Sequence, residues 1–242
     1  MSLINTIACG DCREILPTLP AKSFQLAFAD PPYWVNFEYN GIKDSEMAYV
    51  EPEFLVNELL RVANVVMITP GIANIHDYPK PYWVINWYKP AAMGRNVSGG
   101  VNSWEPILVY GKCRIDIDVI KVQVGGQADA SFHTCPKPVK LLNHIVEKYS
   151  SVGQSVIDPF SGSGTTCKAA YQLGRSYFGI EIDPVMCKLS LARLANSQPP
   201  LLAVGGLTPH APDLWDSAPL QSLSTPEADT PAGHLSTPPT SG

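Results

Sequence analysis

The stretch Ser155-Val156-Ile157-Asp158-Pro159-Phe160-Ser161-Gly162-Ser163-Gly164-Thr165-Thr166 runs from a short apolar strand through a glycine turn into a helix that the pattern carries to about Leu173. Glycines there let the backbone approach a ligand closely, and the helix amino terminus beyond favours polar or anionic groups. The turn is not a P-loop, because the lysine of that motif is missing, and Cys167 stands where a dinucleotide fingerprint needs its third glycine. The next strand, Tyr177 to Ile182, carries Glu181 nineteen residues after Gly162, a spacing at which an acid accepts hydrogen bonds from ribose hydroxyls. Strand, turn, helix, strand and acid make a nucleoside-binding unit without a pyrophosphate grip.

Working outward, the same alternation covers residues 1 to 197 of the 242. Leu3 to Ala8, Phe24 to Ala29, Val65 to Ile68, Tyr82 to Tyr88 and Pro106 to Tyr110 read as strands. Glu51 to Arg61 is helical, because Phe54, Leu55, Leu59 and Val62 share one face; so is the segment bearing Leu141, Leu142, Ile145, Val146 and Tyr149. Asp183-Pro184 caps a last helix to about Asn196. Strands alternating with helices predict an α/β fold, a mostly parallel twisted sheet with helices on both faces. From Gln198 to Gly242 the period is lost: nine of 45 residues are Pro, and the chain there reads as a disordered Pro/Ser/Thr-rich tail.

Formal charge is 17 minus 22, or −5, and the tail alone carries four acids and no Lys or Arg, leaving about −1 for the rest. No bulk basic charge marks a nucleic-acid binder, so such binding needs a local patch or a shaped pocket. No apolar run approaches the roughly 20 residues of a membrane span, and the amino terminus lacks a signal pattern, so the expectation is a soluble cytoplasmic protein without a membrane partner. Six scattered cysteines argue against a disulfide framework, and Cys9-x-x-Cys12 has no second pair to complete a zinc site, so no metal is expected.

A second loop follows the Phe24 to Ala29 strand: Asp30-Pro31-Pro32-Tyr33. Two prolines fix the backbone and remove their own N–H groups, so that a carbonyl and a carboxylate can point outward as acceptors beside an aromatic ring. That set suits a planar base with an exocyclic amine, the ring stacking and the acceptors taking the N–H bonds. A plain Pro-Pro turn with a buried tyrosine would use the same residues.

Asp-Pro-Pro-Tyr together with Asp-Pro-Phe-x-Gly-Ser-Gly-Thr-Thr resembles the amino-group DNA methyltransferases that use S-adenosylmethionine, and the order, catalytic loop first and cofactor loop late, resembles their beta class. Cys9-Gly10-Asp11-Cys12, Trp104-Glu105-Pro106-Ile107-Leu108-Val109-Tyr110-Gly111, His133-Thr134-Cys135-Pro136-Lys137-Pro138 and Gly179-Ile180-Glu181-Ile182-Asp183 agree, so the likeness spans residues 4 to 195. It implies a Rossmann-like methyltransferase fold with a circularly permuted motif order, and S-adenosylmethionine as cofactor. It also implies that Asp158, Phe160, Gly162, Gly164 and Thr165 line the cofactor's methionine end, Glu181 binds the ribose, Asp11 lies near the adenine, and Lys137 reaches the cofactor carboxylate, its rival being an ordinary exposed lysine.

The implied reaction transfers a methyl group to the exocyclic amine of a base flipped from double-stranded DNA, with Asp30, Pro31, Pro32 and Tyr33 as the catalytic loop and Trp34, Phe37 or Tyr39 as further aromatic contacts. Cytosine enzymes tend to carry Ser in place of the first Asp of the loop, so Asp30 favours adenine N6 over cytosine N4. An RNA or protein-glutamine methyltransferase would place its cofactor loop first, the reverse of this order. A non-catalytic DNA-binding relic that retains the fold is the remaining alternative, and both loops are intact in this sequence.

The recognition insert, about residues 89–132, is minimal. Between Lys80 and Lys121 six bases face three acids, so Lys89, Arg95, Lys112 and Arg114, with Asn96, Ser98, Asn102 and Ser103, form the expected DNA-facing surface. The resemblance points to a prokaryotic or phage source and leaves open a homodimer and a cognate restriction endonuclease as protein partners.

Overall fold

The computed structural model describes residues 4–34, 38–39, 42–43, 49–90, 92, 99–124 and 137–197, all within the first of two units, Met1–Pro209. The proposed tail, Arg95 and His133 to Pro136 lie outside these residues, as do Phe37 and the side chain of Tyr39.

Ten strands are described: β1 (Thr6–Cys9), β2 (Phe24–Ala29), β3 (Glu38–Tyr39), β4 (Ile42–Lys43), β5 (Ala63–Ile68), β6 (Trp83–Tyr88), β7 (Trp104–Tyr110), β8 (Val119–Lys121), β9 (Ser155–Asp158) and β10 (Ser176–Glu181). The α-helices among the described residues are α1 (Cys12–Ile15), α2 (Pro52–Val62), α3 (Val139–Tyr149), α4 (Thr165–Gln172) and α5 (Pro184–Ala195). β3 and β4 form a separate antiparallel pair, and the other eight strands make one sheet in the order β1-β10-β9-β2-β5-β7-β6-β8. From β1 to β5 every pairing is parallel; β7 runs antiparallel to both β5 and β6, and β6 pairs with β8 in parallel.

The elements form where their chemistry demands. The apolar stripe of α2 (Leu55, Val56, Leu59, Val62) is at most 2% exposed, and each such side chain contributes roughly 1.5–3 kcal/mol by leaving water. Pro52 sits at the first turn of that helix, where its missing N–H costs nothing. Asp183 caps α5 by accepting from the Val185 and Met186 amides at 2.8 and 3.4 Å, with Pro184 next. Along β2, Leu26 and Phe28 join the core layer under α3, α4 and α5, while Ala27 and Ala29 join the layer under α1 and α2. The sheet is therefore covered on both faces, as the doubly apolar strands required.

This is the expected α/β, Rossmann-like arrangement, with the permuted order visible in the sheet: β1, the first strand, lies beside β10, the last. β2 leads on to β5 on one side and β9 leads on to β10 on the other, so adjacent β2 and β9 mark the point where the winding reverses, and their carboxyl ends open a crevice.

One expectation is corrected here. Cys9 at the end of β1 and Cys187 in α5 form a disulfide, their Cα atoms 5.8 Å apart across 178 residues of sequence. Spacing alone did not reveal it, because only the parallel docking of β1 on β10 brings α5 over the first strand. Cys12 is buried in α1. Among the described residues no helix is long and apolar enough to cross a membrane.

Candidate active site

Both chemistry-bearing loops emerge at the crevice. Asp30 follows β2 and Asp158 ends β9, and the register Ala27↔Ile157 fixes the two loops side by side. The tyrosine-bearing and glycine-bearing turns, more than a hundred residues apart in the chain, are thus neighbours in space.

On the β9 side, the Gly162 amide donates to Glu181 Oε2 at 2.7 Å and the Asp183 amide donates to Oε1 at 2.9 Å, which holds the Glu181 carboxylate at the carboxyl end of β10. Gly162 reaches this geometry with φ of +48°, in the left-handed region. Burial pushes the Glu181 carboxyl above its usual range. Asp158 accepts from the Phe160 amide at 3.0 Å and from the Thr166 hydroxyl. Burial drives its pKa up to about 7, with the Asp30 and Glu181 carboxylates adding to the rise against those two hydrogen bonds. No ion pair to Asp158 exists among the described residues. A buried carboxyl without an ion-pair partner among the described residues, beside a second acid and a glycine turn, fits a nucleoside ligand that brings positive charge.

Asp11 caps α1, accepting from the Arg13 amide at 2.8 Å, and binds the Arg13 guanidinium at 2.5–3.1 Å, which lowers its pKa. It sits just beyond the carboxyl end of β1, along the same sheet edge. The Thr165 hydroxyl lies 3.1 Å from Ser163 Oγ and 3.4 Å from an Arg193 nitrogen of α5. Thr166, unmarked by the sequence reading, serves Asp158.

On the β2 side, the Asp30 carboxylate collects donors. Lys137 Nζ lies 2.6 and 2.7 Å from its two oxygens; Thr69 Oγ1 donates to Oδ1 at 2.6 Å and the Tyr33 hydroxyl at 3.0 Å. Thr69 is delivered by the β2–β5 register, Ala29 facing Ile68, so the residue after each strand meets the other. The Tyr33 ring is seated on Gly71, where a Cβ would lie 2.8 Å from ring Cδ2, and Asn74 Nδ2 donates to the Tyr33 carbonyl at 2.7 Å. Burial, then the Asp30 charge, raises the Tyr33 phenol well above its ordinary pKa. Burial disfavours the Lys137 ammonium, but Asp30 and the other oxygens around it more than offset this and hold its pKa above the usual lysine value. Lys137, expected at the cofactor carboxylate or else as an exposed lysine, is instead largely buried and bound to Asp30.

Glu105 of β7 completes the cluster: Oε2 is 3.4 Å from the Tyr33 hydroxyl and 3.8 Å from Lys137 Nζ, and Oε1 is 2.6 Å from Lys89 Nζ. Lys89 is therefore corrected from a DNA-facing base to a buried ion-pair partner, 7% exposed, its ammonium 5.5 Å from the Trp87 ring centroid. Lys112 and Arg114 are exposed, Arg114 paired with Asp116. Trp34 packs edge-on against Tyr49, the centroids 4.8 Å apart, with φ of +48°.

The fold is doubly wound α/β, with the Asp30 loop and the Asp158–Glu181 turn at one crevice. Residues 74–192 match the family model described as DNA methylase. The DNA adenine methyltransferase YhdJ of Escherichia coli K12 is 25% identical, over 78% of this chain and 82% of that one. Two solved structures share the fold. One is TTHA0409, a putative DNA modification methylase of Thermus thermophilus complexed with S-adenosyl-L-methionine (24% identity, TM-score 0.54, 80% and 96% covered). The other is the cytosine-N4-specific PvuII DNA methyltransferase (16% identity, TM-score 0.56, 79% and 93% covered). Over these spans the chain is similar to DNA methyltransferases, and the structural likeness shows a shared fold.

Proposed function

We propose that the chain transfers a methyl group from S-adenosylmethionine to the exocyclic amine of a base flipped out of double-stranded DNA, and that the base is adenine, methylated at N6. The observation that carries this reading is the pairing of β2 with β9, which sets the Asp30 loop beside the Asp158 and Glu181 pocket. Asp158 would face the cationic end of the cofactor and Glu181 its ribose, with Phe160, Gly162 and Gly164 shaping the wall and Asp11 near the adenine. When bound, the cofactor supplies an electrophilic methyl group on a sulfonium.

The chain's own contribution is to the acceptor. An exocyclic amine delocalises its lone pair into the ring and is a poor nucleophile. Two acceptors, the Asp30 carboxylate and the Pro31 carbonyl, would hold both N–H bonds, favour a pyramidal nitrogen and stabilise the positive charge that grows as the N–C bond forms and the S–C bond breaks. Tyr33 stacks on the base, and Pro32 fixes the turn. The methylated nitrogen then releases one proton to solvent. Lys112, Arg114 and Arg95 are the proposed phosphate contacts of the insert.

Asp30 supports adenine; the likeness to a cytosine-N4 enzyme keeps that base as the runner-up. The test is incubation with labelled methyl donor and mixed DNA, followed by identification of the modified nucleoside and its sequence context. N6-methyladenine is expected, and N4-methylcytosine alone would transfer the assignment. Asp30→Ala should lose transfer by ~100-fold or more while keeping most cofactor binding; equal activity in that variant removes Asp30 from the mechanism.

A further inference from the structure

The Asp30 carboxylate is already occupied. Lys137 Nζ lies within 2.7 Å of both oxygens, the lone pairs that a target amine would need. Oδ1 also accepts from Thr69 and Tyr33, so an incoming amine competes with Lys137 for the remaining lone pairs, and the base engages Asp30 fully only as Lys137 withdraws. A buried ammonium without a counter-charge is strongly disfavoured. Apart from Asp30, the carboxylate paired with Lys137 among the described residues is Glu105, at 3.8 Å. Glu105 is itself held in place: Lys89 binds its other oxygen at 2.6 Å, and the Lys89 and Lys137 ammoniums lie 5.5 and 5.9 Å from the same Trp87 ring. Trp87 cannot drift, being 2% exposed with its indole N–H donating to the Val122 carbonyl at 2.9 Å.

We propose that Glu105, anchored by Lys89, is a positioning residue for methyl transfer: it receives the Lys137 ammonium when the target amine takes the Asp30 carboxylate, and keeps the Tyr33 hydroxyl directed into the site. No bond is made or broken in this exchange; a hydrogen-bonded cation moves about one ångström from one carboxylate toward another. The inference rests on the proposed methyl transfer. It adds that Lys137 is a protein-borne stand-in for the substrate amine, and that removing the receiving charge leaves that stand-in in the way.

The experiment is single-turnover methyl transfer by the full chain at saturating cofactor and DNA, for the wild type, Glu105→Gln, Glu105→Asp, Lys137→Met and Glu105→Gln/Lys137→Met, with cofactor affinity and unfolding midpoint measured for each. Glu105→Gln should slow transfer by ~10-fold or more with cofactor affinity within about twofold of wild type. Glu105→Asp, which keeps the charge, should recover part of the rate. The double variant should be faster than Glu105→Gln alone, because the competing ammonium is gone; a purely structural glutamate would give additive losses. A Glu105→Gln rate equal to wild type, equal rates for Gln and Asp, or a double variant no faster than Glu105→Gln overturns the inference while leaving the proposed function intact. A wild-type chain that methylates no DNA amine overturns both.

Discussion

At the residue scale, Gly71 shows how much of the catalytic geometry depends on an atom that is absent. Its φ of +74° is in the left-handed region, and a Cβ there would meet Tyr33 Cδ2 at 2.8 Å and two more ring atoms at 3.1 Å. Gly71→Ala therefore strains the backbone and pushes the ring, with a stability cost of about 1–3 kcal/mol. Because the Tyr33 hydroxyl bridges Asp30, Lys137 and Glu105, methyl transfer should fall ~10-fold or more while cofactor affinity barely changes. Parallel urea unfolding and single-turnover assays check this; a variant that unfolds earlier but transfers at the wild-type rate would detach the ring's placement from the chemistry. Asp30, Tyr33 and Asp158 were legible in the sequence because the prolines beside them fix the backbone and the glycines after Asp158 free it, both marks of a loop, and Glu181 by its spacing from Gly162. Lys89 and Glu105 were not legible as a pair. A lysine and a glutamate sixteen residues apart look like surface charge until the β6–β7 hairpin register, Trp87 opposite Glu105, folds them together.

At the element scale, β9 and α4 carry a titration. Asp158 has a pKa of about 7 in the folded chain against 3.8 for an ordinary aspartate, chiefly from burial. Between those values the folded chain retains a proton that the unfolded chain has lost. Its contribution to stability is full below about pH 4, declines as pH rises through 7, and is constant beyond. At about 1.4 kcal/mol per pKa unit, the decline amounts to a few kcal/mol, with Glu181 shifted in the same direction. Asp158→Asn should flatten that slope in unfolding measured from pH 4 to 8. A cation bound beside Asp158 lowers its pKa again, so cofactor binding should release a proton and tighten by up to ~10-fold between pH 6 and 8. Calorimetric titration in buffers of different ionisation enthalpy reads that proton directly; pH-independent affinity would place the cofactor's charge elsewhere. The major strands and helices were readable because continuous apolar runs and 3.6-residue stripes survive without context. β8 was missed, being three residues at a sheet edge after Asp116-Ile117-Asp118, and α1, at four residues, shows no period of its own.

At the scale of the whole molecule, the reversal of winding between β2 and β9 explains why the Asp30 loop and the glycine turn near residue 160 meet at one crevice, and why either order of the two in the chain gives the same crevice. The sequence displayed the two loops but not their adjacency, which depends on strand order, a non-local property. The Cys9–Cys187 disulfide lies at the same end of the sheet: Cys9 is opposite Glu181 in register, and the Gly10 amide donates to the Glu181 carbonyl at 2.9 Å. Closing a loop of 178 residues restricts the unfolded chain far more than the folded one, so the bond should add about 2–5 kcal/mol. Cys9 is exposed, which makes Cys9→Ser the cleaner substitution, leaving Cys187 as a buried thiol. Under oxidising conditions the wild type should resist urea better than Cys9→Ser, and a reducing agent should erase the difference. Cofactor affinity should change little in either state, because the β1–β10 hydrogen bonds that hold Glu181 remain when the sulfurs part. Loss of cofactor binding on reduction would instead mean that those strand bonds cannot hold the first strand on the last without the covalent tie.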